Sequence, residues 1–294
     1  MLIGLAAVAW GTTGAVTSLL SLEARASPLL VGTARLWLGA GVLALGAWVA
    51  GRSFTVHRAD RGRCVAMGAC MAVFQAAYFT AVTLAGIAVT ALVAICSAPL
   101  LIAVLAALTL GEPLTRRVAS ALGLGVAGTV LLVLGPRTVV DLSLRFALGA
   151  GLALTAGLAY ALYVVIAKAS LERSAPLPVA AVTFTVAAVL LTPTLAWTEA
   201  LGRQIELGWP WLIYLGAVAT GAAYAAYTIG LRSVPASAAG IASLLEPLTA
   251  TFLGVWLFGE RLGAAGGVGA ILLLGALVLL ASERASPPAA PRSP

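Results

Sequence analysis

Ten apolar stretches, each about 20 residues long, follow one another along this 294-residue sequence. A helix needs roughly 20 predominantly apolar residues to cross a bilayer. Hydrophobic residues make up 62% of the chain and charged residues only 9%, too few to cover a soluble protein of this size. The pattern argues against soluble enzymes, nucleic-acid-binding proteins and secreted domains, and it predicts an all-α integral membrane protein with ten transmembrane helices. The predicted spans are 2–21, 28–50, 62–83, 86–109, 117–135, 146–168, 176–198, 209–231, 235–258 and 262–281.

The basic residues predict the orientation, because cytoplasmic loops of membrane proteins are enriched in Lys and Arg. With the N-terminus inside, eleven of the 17 basic residues fall in inner loops and five in outer loops, while Arg35 lies inside the second span. We therefore expect both termini to be cytoplasmic. The net charge of +7 then reflects loop composition and does not indicate a nucleic-acid partner. Together with many Ala and Gly residues, the excess of Arg over the single Lys168 is typical of a GC-rich bacterial genome. We expect the protein to lie in a bacterial inner membrane.

An internal repeat decides the expected architecture. When the sequence is shifted by 148 residues, Gly111-Glu112 aligns with Gly259-Glu260, and Pro99 aligns with Pro247. Each repeat then holds five spans, and because five is odd, the second repeat enters from the opposite side of the membrane. Inverted repeats of this kind are typical of alternating-access transporters. The predicted domains are a first repeat at 1–140, a second repeat at 141–282 and a disordered cytoplasmic tail at 283–294.

Three short motifs carry a family resemblance. They are Ala-Trp-Gly-Thr-Thr-Gly at 9–14, Pro99 followed by Leu110-Gly111-Glu112, and Glu246-Pro247 followed by Phe258-Gly259-Glu260. With them, the whole chain resembles the EamA type of the drug/metabolite transporter superfamily. The resemblance implies a ten-helix basket around a central cavity that opens to one side at a time. It also implies export of amino acids or other small metabolites, and the aromatic-rich residue set looks most like the aromatic amino-acid exporter branch.

Aromatic and polar residues concentrate in spans one, three, six and eight. Tyr160 and Tyr163, like Tyr224 and Tyr227, are three residues apart and therefore share a helix face. A buried tyrosine hydroxyl needs a partner, so these faces are expected to line a cavity. Interfacial anchoring, the alternative, fits better the tryptophans at span ends, which are Trp48, Trp197, Trp209, Trp211 and Trp256. The predicted cavity residues are Trp10, Thr12, Thr13, Gln75, Tyr78, Phe79, Tyr160, Tyr163, Tyr224, Tyr227, Ser243 and Glu246.

Glu246 is the only acidic residue near the middle of a predicted span. An ionisable group at this depth is costly and often functional. Glu246 could couple protons or contact a substrate amine, or it could be a packing carboxylate that pairs with Arg35. Arg35 lies seven residues into span two, where snorkelling or a structural pair is favoured over contact with a substrate carboxylate.

Pro99 and Pro247 stand at equivalent mid-span positions and are predicted hinges, because proline removes one backbone hydrogen bond from a helix. Gly111-Glu112 and Gly259-Glu260 end spans four and nine. A helix stop with a local ion pair between Glu112 and Arg116 is the favoured interpretation of the first pair, and a gate latch is the alternative.

No catalytic residues, metal or cofactor are predicted. His57 is the single histidine, the three cysteines form no metal-binding pattern or disulfide framework, and no phosphate-binding loop is present. We expect a secondary transporter for amino acids, aromatic or broad-range, that works by facilitated diffusion as a monomer or weak homodimer among membrane lipids. The alternatives are a proton-coupled exporter of drugs or cationic metabolites acting through Glu246, and a non-transporting channel or scaffold.

Overall fold

A computed structural model describes residues 1–51, 56–134, 143–258 and 263–283. These ranges are almost entirely helical and contain no β-strand. They include nine helical segments long and apolar enough to cross a membrane. The fifth predicted span, 117–135, corresponds to one more helix, Arg116–Leu134. The all-α membrane architecture predicted from the sequence is therefore confirmed. The predicted tail at 283–294 lies, apart from Glu283, outside the described residues.

The helices follow one another with short connections. In chain order they are α1 (Leu2–Gly11), α2 (Thr13–Ala24), α3 (Pro28–Val49), α4 (Arg61–Ala85), α5 (Ile87–Leu110), α6 (Arg116–Leu134), α7 (Leu144–Ser170), α8 (Pro176–Leu191), α9 (Leu201–Ile213), α10 (Ala223–Arg232), α11 (Ala236–Ala242), α12 (Leu245–Phe258) and α13 (Ala264–Glu283). A π-helical segment, Tyr214–Ala222, joins α9 to α10. The side of the membrane on which α1 begins is called the N side below; α5, α7 and α10 end there, and α11 begins there.

The eighth span is longer than the sequence indicated. A connection was expected near 199–208, but α9 already begins at Leu201 and the helix continues to Arg232. The charged side chains of Arg203 and Glu206 are exposed, while Gly208 is buried against α2. Polar residues ended the apolar pattern here without ending the helix, because a helix can continue beyond the bilayer with a polar face toward water.

The two halves of the chain have equivalent helices. A shift of 148 residues places α3 on α8 and the 3₁₀ turn Thr192–Trp197 that follows it, and places α6 on α13. Pro28 and Pro176 are each the first residue of their helix, a position where the missing N–H costs nothing and the fixed φ suits the helix. The same N-terminal signal therefore starts the second helix of each repeat.

Contacts between the halves have the symmetry expected of an inverted repeat. Equivalent helices pack against each other in the pairs α3 with α8, α5 with α11, and α6 with α13. The packing of α4 against α7 is matched by that of α10 against α1, and the packing of α5 against α7 by that of α12 against α1. A pseudo-twofold axis in the membrane plane relates such pairs.

Two glycines allow the close helix approaches that build the centre. A Cβ on Gly11 would lie 2.7 Å from the carbonyl oxygen of Glu246, so glycine lets α1 reach α12. A Cβ on Gly39 would lie 2.7 Å from Cγ2 of Thr220, so glycine lets α3 reach the π-helical segment. Small residues at helix contacts are the usual means of close packing in membranes.

Candidate functional site

Nine aromatic rings form one connected cluster at the centre of the helix bundle. Trp10 of α1 lies with its ring centroid 4.9 Å from that of Tyr224 and 5.2 Å from that of Tyr227. Tyr160 links Trp10 to Phe74 and onward to Tyr78. The cluster consists of Trp10, Phe74, Tyr78, Phe79, Tyr160, Tyr163, Phe184, Tyr224 and Tyr227. All seven aromatic residues of the predicted cavity set belong to it.

Phe74 and Phe184 were missed by sequence reasoning. Phe184 on α8 contacts Tyr224 with ring centroids 4.5 Å apart, the shortest ring distance in the cluster. Phe74 lies one turn before Tyr78 on α4. A phenylalanine has no polar group to mark it among apolar residues, although its one-turn spacing from Tyr78 was a usable signal for Phe74.

The part of the cluster toward the N side is tightly closed. Trp10, Tyr163, Phe184, Tyr224 and Tyr227 are each at most 6% exposed. Trp10 lies eight residues into the helix that starts on the N side, about 12 Å along its axis at 1.5 Å per residue. These five buried rings form a packed layer between the N side and the centre.

The opposite part of the cluster is more open. Phe74, Tyr78, Phe79 and Tyr160 are half-buried. Thr12, at the break between α1 and α2, is also half-buried and bonds to the Tyr214 hydroxyl at 2.9 Å. These half-buried side chains mark the part of the cluster that neighbouring helices leave partly uncovered.

The backbone is irregular at three positions in helices that pack against each other around α1. α1 and α2 are interrupted at Thr12, α11 and α12 at Ser243 and Leu244, and the segment Tyr214–Ala222 is π-helical. Irregular backbone within a membrane is tolerated where it is buried in protein or lines a cavity, and π-helical turns occur frequently at functional sites.

Arg35 points into the protein. Its Nε donates to Oγ1 of Thr220 at 3.1 Å, and Thr220 is 2% exposed in the π-helical segment. The guanidinium interacts electrostatically with Tyr224, Glu246 and Tyr78. Outward snorkelling, one of the interpretations favoured for Arg35, is therefore wrong. Sequence reasoning left this residue out of the cavity set because the direction of a long side chain depends on its neighbours.

Glu246 lies opposite Arg35, in the first turn of α12 and half-buried. A carboxylate in the first turn is favoured by the partial positive charge of the helix N-terminus. Arg35 and Glu246 interact electrostatically. They form no direct ion pair, since the one salt bridge among the described residues joins Arg63 to Asp60 on the N side. Two opposite charges thus face the same site without contacting each other.

The remaining predicted cavity residues have mixed environments. Trp10 Nε1 and Thr13 Oγ1 are buried without a hydrogen-bond partner in the described part of the chain. The hydroxyls of Tyr160 and Tyr227 are buried close to each other. Ser243 donates to the Ala239 carbonyl at 3.0 Å. Gln75 is buried, with its Nε2 3.5 Å from the Gly32 carbonyl, so it braces α4 against α3.

The two predicted hinge prolines have different surroundings. Pro99 lies inside the continuous helix α5, with its Cα 3.4 Å from the position of a Cβ on Gly240. Pro247 lies in the first turn of α12, just after the break at Ser243 and Leu244. A proline in a first turn removes no intrahelical hydrogen bond, so the break at this position belongs to the preceding turn.

Glu112 does not act as expected. It follows Gly111, which ends α5 with φ of +68°, and its carboxylate accepts from the backbone N–H groups of Ala236 and Ser237 and from the Ser237 hydroxyl. It therefore binds the start of α11, 124 residues away, whereas a local pair with Arg116 was favoured. Its repeat equivalent, Gly259-Glu260, lies outside the described residues.

The N-side ends of the helices are tied together by a second contact. Lys168 at the end of α7 donates from Nζ to the carbonyls of Leu231 at 3.0 Å and Arg232 at 3.2 Å. With Glu112, this joins the ends of α5, α7 and α10 to the start of α11. Within the described ranges, no three His, Cys, Asp or Glu side chains are grouped as a metal site would require.

Comparison with known proteins now gives the family. Residues 1–134 and 147–282 match the EamA-like transporter family. The chain belongs to this family. It is 37% identical over 282 residues to the uncharacterized transporter YwfM of Bacillus subtilis strain 168, across 95% of this chain and 93% of that protein. It is 27% identical over 204 residues to an uncharacterized transporter of Archaeoglobus fulgidus, across 69% and 70%.

One solved crystal structure superposes on this EamA-like chain with a TM-score of 0.83, over 97% of this chain and 98% of that one. The sequence identity is 22%, so this likeness shows a shared fold. Family and relatives together identify a multi-pass membrane transporter of the drug/metabolite type. In this EamA-like protein the central residues come from both halves: Trp10, Arg35 and Tyr78 from the first, Tyr160, Tyr224 and Glu246 from the second. Any movement of one half against the other therefore changes the site.

Proposed function

We propose that this EamA-like transporter exports amino acids, aromatic or broad-range, across a bacterial inner membrane by alternating access. The observation that carries the proposal is the nine-ring aromatic cluster lying beside two opposite charges at mid-membrane depth. An apolar or aromatic side chain fits the rings, which attract partners in edge-to-face and offset contacts. The polar main part of an amino acid fits the charged end of the site.

The proposed orientation places the N side in the cytoplasm, with both termini there, as the distribution of basic residues favours. The packed layer of Trp10, Tyr163, Phe184, Tyr224 and Tyr227 then separates the centre from the cytoplasm. Rocking of the two halves about Pro99 and the break before Pro247 opens this layer while closing the opposite side. The domain boundaries proposed for the two moving halves are 1–140 and 141–282.

The test is counterflow in liposomes. Purified protein is reconstituted, the vesicles are loaded with one class of unlabelled amino acid per batch, and entry of the labelled compound is measured. Saturable, trans-stimulated exchange of aromatic or large apolar amino acids is expected. No exchange of any amino acid by folded protein would contradict the proposal and would favour the other family-compatible cargo, drugs or cationic metabolites.

A cationic substrate is the weaker candidate. Glu246 could contact a cation, but the guanidinium of Arg35 faces the same site and repels one. The proposed driving force is the substrate gradient itself. An imposed pH gradient should then cause no accumulation of labelled amino acid in the same vesicles, whereas accumulation would show proton coupling.

A further inference from the structure

Two opposite charges facing one site without touching are costly to keep inside a membrane. Arg35 on α3 and Glu246 on α12 interact across the site but do not form a direct ion pair, as the described salt bridges show. The guanidinium is held in place by Thr220, whose Oγ1 accepts from Nε at 3.1 Å. Thr220 in turn donates to the Leu215 carbonyl at 2.8 Å, five residues back, the spacing of the π-helix.

This geometry leaves the outer guanidinium nitrogens of Arg35 free of protein hydrogen bonds among the described residues. A guanidinium fork matches a carboxylate with two parallel hydrogen bonds. The carboxylate of Glu246 matches an ammonium group. Beside them lies one buried donor without a partner among the described residues, Trp10 Nε1, which is next in sequence to Gly11 at the contact with Glu246.

We propose that Arg35 and Glu246 together recognise the two charged ends of a free amino acid. Arg35 binds the carboxylate of the amino acid, and Glu246 binds its ammonium group. The inference rests on the proposed function and narrows it to zwitterions. Thr220 is a positioning residue, because it acts through Arg35. A molecule with only one charged end leaves the opposite protein charge buried and unpaired, so amines and carboxylic acids are rejected even when their apolar part fits the aromatic cluster.

Three probes that share one ring and differ only in their charged ends test this inference. They are phenylalanine, phenethylamine, which lacks the carboxylate, and phenylpropionate, which lacks the amine. Each competes for exchange of labelled phenylalanine in liposomes. In the unaltered protein, each analogue should inhibit about ten- to a hundredfold more weakly than phenylalanine, the loss expected for a missing charge-assisted hydrogen bond.

The variants separate the two charges. Arg35→Gln should weaken the binding of phenylalanine by about ten- to a hundredfold, while the binding of phenethylamine stays unchanged or becomes tighter. Glu246→Gln should weaken the binding of phenylalanine to a similar extent, while the binding of phenylpropionate stays unchanged or becomes tighter. Arg35→Lys and Glu246→Asp keep the charge and should retain the preference for phenylalanine, with weaker binding. Matched controls are Arg173→Gln and Glu172→Gln, whose side chains are exposed beyond α7.

Each outcome decides between the two claims. In one outcome, phenylalanine exchanges but the variants weaken the binding of all three probes equally. The Arg35–Glu246 pair is then structural and this inference is wrong, while the proposed function stands. If the unaltered protein binds phenethylamine as tightly as it binds phenylalanine, the proposed recognition of both charged ends is also wrong. If no amino acid exchanges at all, the proposed function fails and the inference fails with it.

Discussion

At the scale of single residues, the site depends on a few hydroxyl groups whose roles differ. The Thr220 hydroxyl is fully used, since it donates to Leu215 and accepts from Arg35. The Thr33 hydroxyl, on the same helix as Arg35, is buried with no partner in the described part of the protein. A buried polar group without a partner costs stability, whereas a paired one contributes about 1 kcal/mol.

Thr220→Val should loosen Arg35 while preserving the shape of the residue. We expect KM for amino acids to rise severalfold with little change in maximal exchange rate, because the guanidinium loses its anchor but keeps its charge. Counterflow kinetics measure this. Thr185→Val is the matched control, since Thr185 is exposed on α8 and donates only to the Ala181 carbonyl. Equal effects of the two substitutions would contradict the positioning role of Thr220.

Thr33→Val should not lower the thermal unfolding temperature, because it removes a buried hydroxyl that has no partner among the described residues. Tyr214→Phe should lower it, because that hydroxyl is bonded to Thr12 at 2.9 Å and the bond contributes about 1 kcal/mol. Unfolding in detergent, followed by tryptophan fluorescence, compares the two variants. A larger loss in Thr33→Val would show that the Thr33 hydroxyl has a stabilising partner.

At the scale of helices, the packing is dominated by close approaches and by contacts between helix ends. α6 and α13 meet through Gly128 and Gly269, where a Cβ on Gly128 would lie 2.7 Å from the Gly269 carbonyl oxygen. The end of α5 meets the start of α11 through Glu112. These contacts join the two halves, so each is a point where movement between them is resisted.

Gly128→Ala should destabilise the protein by about 1–3 kcal/mol, the cost of overpacking a close contact. Gly123→Ala on the same helix is the control, because a Cβ there meets nothing within 4 Å. It should be neutral or slightly stabilising, since alanine has the better helix propensity. Thermal unfolding of both variants provides the comparison, and equal losses would contradict the packing argument.

Glu112→Ala should open the N side, because it releases three hydrogen bonds that hold α11 to the end of α5. Ser243→Cys supplies a reporter at the break between α11 and α12, read above the background of the native thiols. We expect the Glu112 substitution to raise the rate at which a membrane-impermeant thiol reagent labels this cysteine from the N side. Glu206→Ala, at an exposed position of α9 away from the N side, is the control. An unchanged rate in Glu112→Ala would show that this carboxylate is not a latch.

At the scale of the whole molecule, the two halves are stabilised chiefly by each other. α4 packs on α7, α3 on α8, and α6 on α13, and each pair joins one half to the other. The aromatic cluster and the Arg35–Glu246 site are likewise shared. Neither half therefore has a complete core or a complete site.

Division of the chain between residues 140 and 141 tests this dependence. Each half expressed alone should be degraded or aggregate, because its interfacial helix faces are left uncovered. The two halves expressed together should assemble and restore exchange, because the contacts between them need no covalent link. Accumulation of a stable single half would contradict the shared core.

Local pattern was enough to predict the fold class and much of the aromatic cluster. Apolar length determines which segments span the membrane, and the shift of 148 residues exposes the repeat, since both are properties of the linear sequence. Three-residue spacing placed Tyr160 with Tyr163, and Tyr224 with Tyr227, on common faces, because a regular helix fixes which residues are neighbours. Where the helix exceeded the apolar pattern, at α9, the same reasoning placed the boundary wrongly.

The sequence by itself thus determined the membrane architecture, the repeat and the residues worth examining. Only the tertiary structure decided that Arg35 turns inward to Thr220, that Phe184 completes the aromatic cluster, and that Glu112 binds the start of α11. These contacts join residues that are 185, 40 and 124 positions apart in the sequence and lie on different helices. The direction of a flexible side chain is set by the partners that packing brings to it, and local periodicity carries no information about those partners.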